Sequence, residues 1–177
     1  MSPTRAELVD TLDCGWEAGS RGDARPRGYL RGGKAFPGSI APVRATGIHH
    51  VGVAVEDLDA ALSTYERLFG AEVEHRATVP EQGVEAASLR VGGGRVELLE
   101  PLGEDTPVGR FLTNRGPGMH HVAYEVPDVA AAIAGLTDAG ADLIDERPRP
   151  GLFGLEVAFV HPDSVHGVLS EVVSPGR

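Results

Sequence analysis

Two stretches of the chain, about residues 46–115 and 117–175, repeat one order of hydrophobic and polar positions. The first opens with GIHHVGVAVEDL from Gly47, and the second with GMHHVAYEVPDV from Gly118. Each opening run is rich in β-branched residues and is followed by an Asp and then by apolar residues at helical spacing. This pattern predicts a strand followed by a helix in both stretches.

The two predicted helices have recognisable ends. Asp57 and Asp128 are placed as N-caps, and Gly70 and Gly140 can supply the left-handed residue that ends a helix. The apolar faces consist of Leu58, Ala61, Leu62, Tyr65, Leu68 and Phe69 in the first helix, and of Val129, Ala132, Ile133 and Leu136 in the second. Each helix is therefore expected to pack one face against a sheet.

Further strands are predicted after each helix. Residues 84–91 and 95–99 form two of them in the first repeat, with the glycines at 92–94 as the turn between them, and residues 157–160 and 168–173 correspond to them in the second. The sequence therefore predicts an α+β fold built from two βαβββ repeats.

Composition narrows the class of protein. Hydrophobic residues make up 41% and charged residues 24% of the chain, as in ordinary globular proteins. The net charge of −10 argues against nucleic acid or an anionic membrane as a partner. Cys14 is the only cysteine, so neither a disulfide within the chain nor a cysteine metal cluster is expected. Without an apolar span or a secretory signal pattern, we expect a cytoplasmic location.

The first 44 residues differ from the rest. Residues 20–38 are rich in Gly, Arg and Pro and lack apolar periodicity, so they are not expected to bury enough surface to offset the entropy of ordering. We predict a flexible extension at residues 1–44 and a folded domain at residues 45–177. An interaction tail or a mis-assigned start codon are the alternatives.

Polar residues recur at two matching positions within the apolar strands. His50 aligns with His121 on the first strands, and Glu97 aligns with Glu171 on the last strands. If the repeats pair about a pseudo-twofold axis, these four side chains point into one cavity. Two imidazoles and two carboxylates suit a divalent first-row metal ion and leave two octahedral positions for a substrate with two nearby oxygens. Since adjacent strand residues face opposite sides, His49 and His120 are expected to face the other side, toward the helices or toward a group that supports the ligands, and to have a structural role.

Several motifs resemble those of methylmalonyl-CoA epimerases of the vicinal-oxygen-chelate (glyoxalase) superfamily. They include VPEQGV at residues 79–84, VELLEPL at 96–102, GMHHVA at 118–123, FVHP at 159–162 and GVLSE at 167–171. The resemblance covers about residues 46–175, and the PEQGV and VELLEPLGEDTP segments are its most specific parts.

The resemblance implies a metal held by His50, Glu97, His121 and Glu171, with Co²⁺ expected first and Mn²⁺, Ni²⁺ or Zn²⁺ as alternatives. It also implies an acyl-CoA substrate, a homodimer, and epimerisation through a metal-stabilised enolate, with no further cofactor. Glu171 would combine metal binding with proton transfer.

The residue that acts on the opposite face of the substrate is open. Some relatives carry a Glu two residues after the Val of EQGV, where this chain has Ala86. Glu85 is the catalytic candidate next to it, although on a strand it would face the other way, and Glu81 and Gln82 are further candidates. Arg147 and Arg149 could meet a phosphate or carboxylate, although a solvated loop is the simpler interpretation.

Two other functions remain as alternatives. One is another enzyme of this fold, a glyoxalase-like lyase or a dioxygenase, and the other is a metal-free small-molecule binding or resistance protein. Whether the acyl group is methylmalonyl or ethylmalonyl is also open.

Overall fold

The structure is a computed structural model that describes residues 43–175. These residues form one eight-stranded mixed sheet, curled into a half-barrel, with three α-helices. The predicted flexible extension lies outside the described residues except for residues 43 and 44, and Val43 packs against the domain core. None of the helices described here has the length and apolar character needed to span a bilayer.

The order of elements confirms the two βαβββ repeats. In the first repeat they are β1 (Gly47–Ala54), α1 (Leu58–Phe69), β2 (Glu72–Val79), β3 (Val84–Val91) and β4 (Gly94–Pro101). Helix α2 (Pro107–Arg115) joins the repeats. The second repeat contains β5 (Gly118–Glu125), α3 (Val129–Asp138), β6 (Arg149–Pro150), β7 (Leu155–Val160) and β8 (Ser170–Pro175).

The helix ends follow the predicted capping. The side chains of Asp57 and Asp128 accept hydrogen bonds from the backbone N–H groups of Ala60 and Ala131. Gly70 follows α1 with φ 62°, and Gly140 follows Ala139, the C-cap of α3, with φ 82°, so both glycines supply the predicted left-handed residue. Helix α2 was not predicted, and β8 begins at Ser170 instead of residue 168.

The sheet order is β2-β3-β4-β1-β5-β8-β7-β6. At its centre β1 pairs with β5 antiparallel, while β4 is parallel to β1 and β8 is parallel to β5. The first and last strands of both repeats are therefore neighbours. This arrangement places the residues on one face of these four strands around a common centre.

The two faces of the sheet have separate cores. On the outer face, α1 packs on Ala87, Leu89 and Leu98, and α3 packs on Ala158 and Val172. On the inner face the buried clusters consist of Ala54, Val84, Ala86, Leu99, Val108 and Leu152, and of Ala123, Val157 and Val173. Alternation along β4 assigns Leu98 to the outer face and Glu97 and Leu99 to the inner one.

Candidate metal centre

The four predicted ligands meet at the centre of the inner face. The Nε2 atoms of His50 and His121 lie 3.0 Å apart. The Oε2 atom of Glu171 lies 3.2 Å from His50 Nε2 and 3.4 Å from His121 Nε2, and the Oε2 atom of Glu97 lies 3.5 and 3.9 Å from them. All four residues are between 3% and 6% exposed. The symmetry of the repeats thus brings together side chains that are far apart in the sequence.

The separations among His50, His121 and Glu171 fit ligands that share one cation, whereas those from Glu97, at 3.5 and 3.9 Å, are longer. Neighbouring ligand atoms around an ion with bonds of about 2.1 Å are roughly 3.0–3.4 Å apart in octahedral to tetrahedral arrangements. Ligand atoms of His50, His121 and Glu171 form a group within 4.8 Å of one another, and Glu97 lies just outside that group although it is close to both imidazoles. The Oε2 atom of Glu171 is buried, and within residues 43–175 its close neighbours include the two imidazole Nε2 atoms at 3.2 and 3.4 Å, neither in hydrogen-bond geometry, which leaves a lone pair to bind a cation.

Burial and close neighbours shift the pKa values of three of these four residues. Burial raises the pKa of Glu97. Burial alone would raise the pKa of Glu171 too, but the nearby imidazoles of His121 and His50 outweigh it and lower that pKa to about 2. Burial would lower the pKa of His50, yet Glu171 and Glu97 raise it above 6.5. Since an unpaired buried charge costs several kcal/mol, a divalent cation suits this donor set.

The first histidine of each doublet does not follow the expected alternation. The β1–β5 register passes from Ile48↔Tyr124 to His50↔Ala123, and from Gly52↔His121 to Val53↔Met119, so His49 and His120 are the extra residues of two β-bulges. A bulge re-aims side chains, often next to functional sites. The Nδ1 atoms of His49 and His50 are 2.8 Å apart, and those of His120 and His121 are 3.0 Å apart.

The doublets can therefore fix the orientation of the candidate ligands. When Nε2 of an imidazole binds a metal ion, its Nδ1–H needs an acceptor that holds the ring in place. The neighbouring Nδ1 can be that acceptor while its own ring is neutral. Burial, with a smaller contribution from His121, lowers the pKa of His120 to about 4, and burial and His50 lower the pKa of His49, which favours the neutral forms. The sequence feature that indicates this pairing of imidazoles is the His-His doublet, which occurs in both repeats.

A cavity of about 360 Å³ opens onto the four residues. Its wall is largely apolar, with Val84, Leu99, Val108, Leu152, Leu155 and Val157 among the lining residues. The other titratable side chains on the wall are Glu81, His120 and Arg149. An apolar pocket with few polar groups is typical of small-molecule sites.

Glu85 is not part of this cavity. Its carboxylate accepts a hydrogen bond of 2.8 Å from Nε of Arg76, and Arg76 also pairs with Asp59 of α1 on the outer face. Alternation along β3 turns Glu85 away from the side on which Val84 and Ala86 lie. The prediction that Glu85 takes part in catalysis is not supported by this position, whereas Glu81 and Gln82 do line the cavity.

Gly52 was missed by the sequence analysis, although a Gly inside a strand often marks close approach by another group. It lies opposite His121, and a Cβ there would be 2.2 Å from Cε1 of the imidazole. We expect Gly52→Val to displace that ring and to weaken Co²⁺ binding at least about tenfold, or about 1.4 kcal/mol, as measured by calorimetric titration. Gly93→Val is the control, because a Cβ on Gly93 meets no atom within 4 Å. Unchanged affinity in Gly52→Val would contradict the predicted displacement.

Comparison with known proteins agrees with the geometry. Residues 49–159 match the family model of the Glyoxalase/Bleomycin resistance protein/Dioxygenase superfamily. The chain is 39% identical over 126 residues to the mitochondrial methylmalonyl-CoA epimerase of Bos taurus, covering 71% of this chain and 72% of that protein. It is 39% identical over 127 residues to the ethylmalonyl-CoA/methylmalonyl-CoA epimerase of Cereibacter sphaeroides, covering 71% and 95%.

A solved structure extends this similarity to the fold. A variant of the Streptomyces coelicolor methylmalonyl-CoA epimerase in complex with 2-nitronate-propionyl-CoA superimposes with a TM-score of 0.72 at 39% identity, covering 75% of this chain and 96% of that one. Family membership favours an enzyme over the alternative of a metal-free binding protein. The chain is thus an enzyme of the glyoxalase/bleomycin resistance protein/dioxygenase superfamily and belongs to its methylmalonyl-CoA epimerase family.

Proposed function

We propose that this enzyme interconverts the 2R and 2S forms of methylmalonyl-CoA by proton transfer at the carbon between the thioester and the carboxylate. The observation that carries the proposal is the group formed by His50, Glu97, His121 and Glu171 at the base of an apolar cavity. Support comes from the relatives, which are named as epimerases of this substrate.

The four residues would hold a divalent cation, with Co²⁺ as the first candidate. When bound, such an ion supplies a Lewis acid that stabilises negative charge developing on a substrate oxygen as the proton leaves. The apolar wall excludes water, which strengthens electrostatic interactions at the reacting carbon. Val84, Leu99 and Val108 would surround the acyl group.

Glu171 is the proposed base on one face of the substrate. Its pKa is lowered to about 2 by the two imidazoles, which keeps it ionised, and no described residue makes a hydrogen bond of good geometry to its Oε2 atom. A carboxylate has lone pairs on two oxygens, so binding an ion through one of them does not prevent proton transfer. For the opposite face, the candidates among the described lining residues are Glu81 and His120, whose side chains carry a proton acceptor.

Deuterium exchange tests this proposal. Each epimer of methylmalonyl-CoA is incubated separately in heavy water with enzyme that has been treated with chelator and with enzyme reloaded with Co²⁺. We expect the reloaded enzyme to incorporate deuterium and to convert each epimer into the other, and the treated enzyme to do neither. Absence of exchange in the reloaded enzyme would overturn the proposed activity, and full exchange after chelation would overturn its dependence on a metal.

Ethylmalonyl-CoA is a second candidate substrate, because the Cereibacter sphaeroides relative is named for both acyl groups. The same experiment with ethylmalonyl-CoA compares their kcat/KM values, and an extra methylene in an apolar pocket changes such a ratio by about 10–200-fold. A homodimer and a cytoplasmic location stay predictions of the sequence.

A further inference from the structure

We propose that Arg149 forms an anion subsite that binds the free carboxylate of the acyl group and so selects malonyl-type thioesters. This inference rests on the proposed function and deepens it. Among the described residues that line the cavity, Arg149 is the only Lys or Arg. The same wall carries the carboxylates of Glu81, Glu97 and Glu171. Because carboxylates repel an anionic substrate, the permanent positive charge of Arg149 favours its binding.

Arg149 is held in place by contacts on one side. Its Nε donates to Oδ2 of Asp145 at 3.0 Å, and the same oxygen accepts the backbone N–H of Phe159 at 2.9 Å. Its Cζ lies 5.1 Å from the centroid of the Phe159 ring. Asp145 and Phe159 therefore fix the guanidinium against β7, and no residue of the described part of the chain makes a hydrogen bond or ion pair with its terminal NH₂ groups.

The position of Arg149 favours a carboxylate near the reacting carbon. The Phe159 ring, against which the guanidinium of Arg149 packs, also contacts the imidazole of His121 edge-on, with ring centroids 5.6 Å apart. One aromatic ring thus separates Arg149 from the candidate metal centre. In an acyl-CoA the pantetheine arm separates the phosphates from the acyl group, so an acyl group at the candidate metal centre would bring its own carboxylate nearer to Arg149 than the phosphates. A planar guanidinium can bind both oxygens of a carboxylate.

Binding of two unreactive acyl groups tests the subsite without using catalysis. Malonyl-CoA carries the free carboxylate and propionyl-CoA lacks it, and their affinities are measured by calorimetric titration on metal-loaded and on chelator-treated protein. We expect Arg149→Gln to weaken malonyl-CoA binding about tenfold or more and to leave propionyl-CoA binding unchanged in both forms. Arg149→Lys should restore part of the preference, because it keeps the charge without the planar fork.

Arg147→Gln is the matched control, since Arg147 is exposed in the same segment and does not line the cavity. Malonyl-pantetheine, which has no phosphate, separates the two anions of the substrate. Equal loss of affinity for malonyl-CoA and malonyl-pantetheine in Arg149→Gln supports carboxylate binding. Loss with CoA alone would assign the residue to a phosphate, and equal loss for malonyl-CoA and propionyl-CoA would assign it to packing. Either result overturns the inference, whether or not the enzyme epimerises methylmalonyl-CoA.

Discussion

Replacing Glu171 by Gln is expected to lower kcat for methylmalonyl-CoA epimerisation by about a thousandfold. An amide cannot take the proton that a carboxylate accepts, and general base catalysis contributes roughly 10²–10⁴-fold. The substitution also removes the charge of the carboxylate whose Oε2 atom lies within 3.4 Å of the Nε2 atoms of both imidazoles. Stopped assays with saturating substrate and Co²⁺ measure the loss.

Variants of two other carboxylates distinguish the loss of the base from the loss of a metal ligand. Glu97→Gln removes a predicted ligand that has no proposed role in proton transfer, so excess Co²⁺ should restore most of its activity but not that of Glu171→Gln. Glu85→Gln is the control outside the cavity and should leave kcat unchanged. Its pair with Arg76 is partly exposed, so its loss should change the free energy of unfolding only slightly. Near-normal kcat in Glu171→Gln would rule it out as the base.

The stereochemistry of exchange adds a second measurement on the same variant. If Glu171 serves only one face, Glu171→Gln should still exchange the proton of one epimer with heavy water while forming little of the other epimer. Glu81→Gln should show the reverse preference if Glu81 serves the opposite face. Equal loss of exchange from both epimers in Glu171→Gln would indicate that its main contribution is metal binding.

The candidate centre could be predicted from sequence because it depends on symmetry and alternation. The repeated His and Glu positions identify the four residues, and the same alternation separates the two carboxylates of the ELLE segment. Glu97 reaches the centre, while Glu100 on the outer face accepts the Leu58 N–H at the start of α1. The face on which a strand side chain lies follows from its position in the alternating pattern, so it can be predicted from the sequence of that strand alone.

Features that depend on pairing between distant strands could not be predicted. The bulges at His49 and His120 arise from the β1–β5 register, which nothing within either strand specifies, so strict alternation did not predict that His120 lines the cavity.

Helix α2 could not be predicted for a different reason. It is nine residues long and contains Gly109, so its own sequence favours a helix only weakly. Gly109 is nevertheless required there, since a Cβ would lie 2.3 Å from the carbonyl oxygen of Gly103.

Adding Co²⁺ to chelator-treated enzyme is expected to raise its Tm by roughly 5–10 °C at a hundredfold excess over Kd. Binding to the folded state alone contributes about 2.7 kcal/mol at that excess, and each kcal/mol shifts the Tm of a domain of this size by about 2–4 °C. Differential scanning calorimetry measures the shift. A double variant, His50→Gln with His121→Gln, should lose it, whereas the Arg147→Gln control should keep it.

The size of this shift should depend on pH in a direction set by His50. Without metal, its pKa is raised by Glu171 and Glu97, so its stabilising charge is fully present below the unfolded pKa near 6.5 and is lost as pH rises through the higher folded value. The metal-free enzyme therefore loses stability at high pH, where the two buried carboxylates face a neutral His50. At high pH the ion does not compete with a proton on His50, so it binds more tightly. The Tm shift should accordingly grow from pH 6 to pH 8, and a shift that shrinks over this range would contradict ligation by His50.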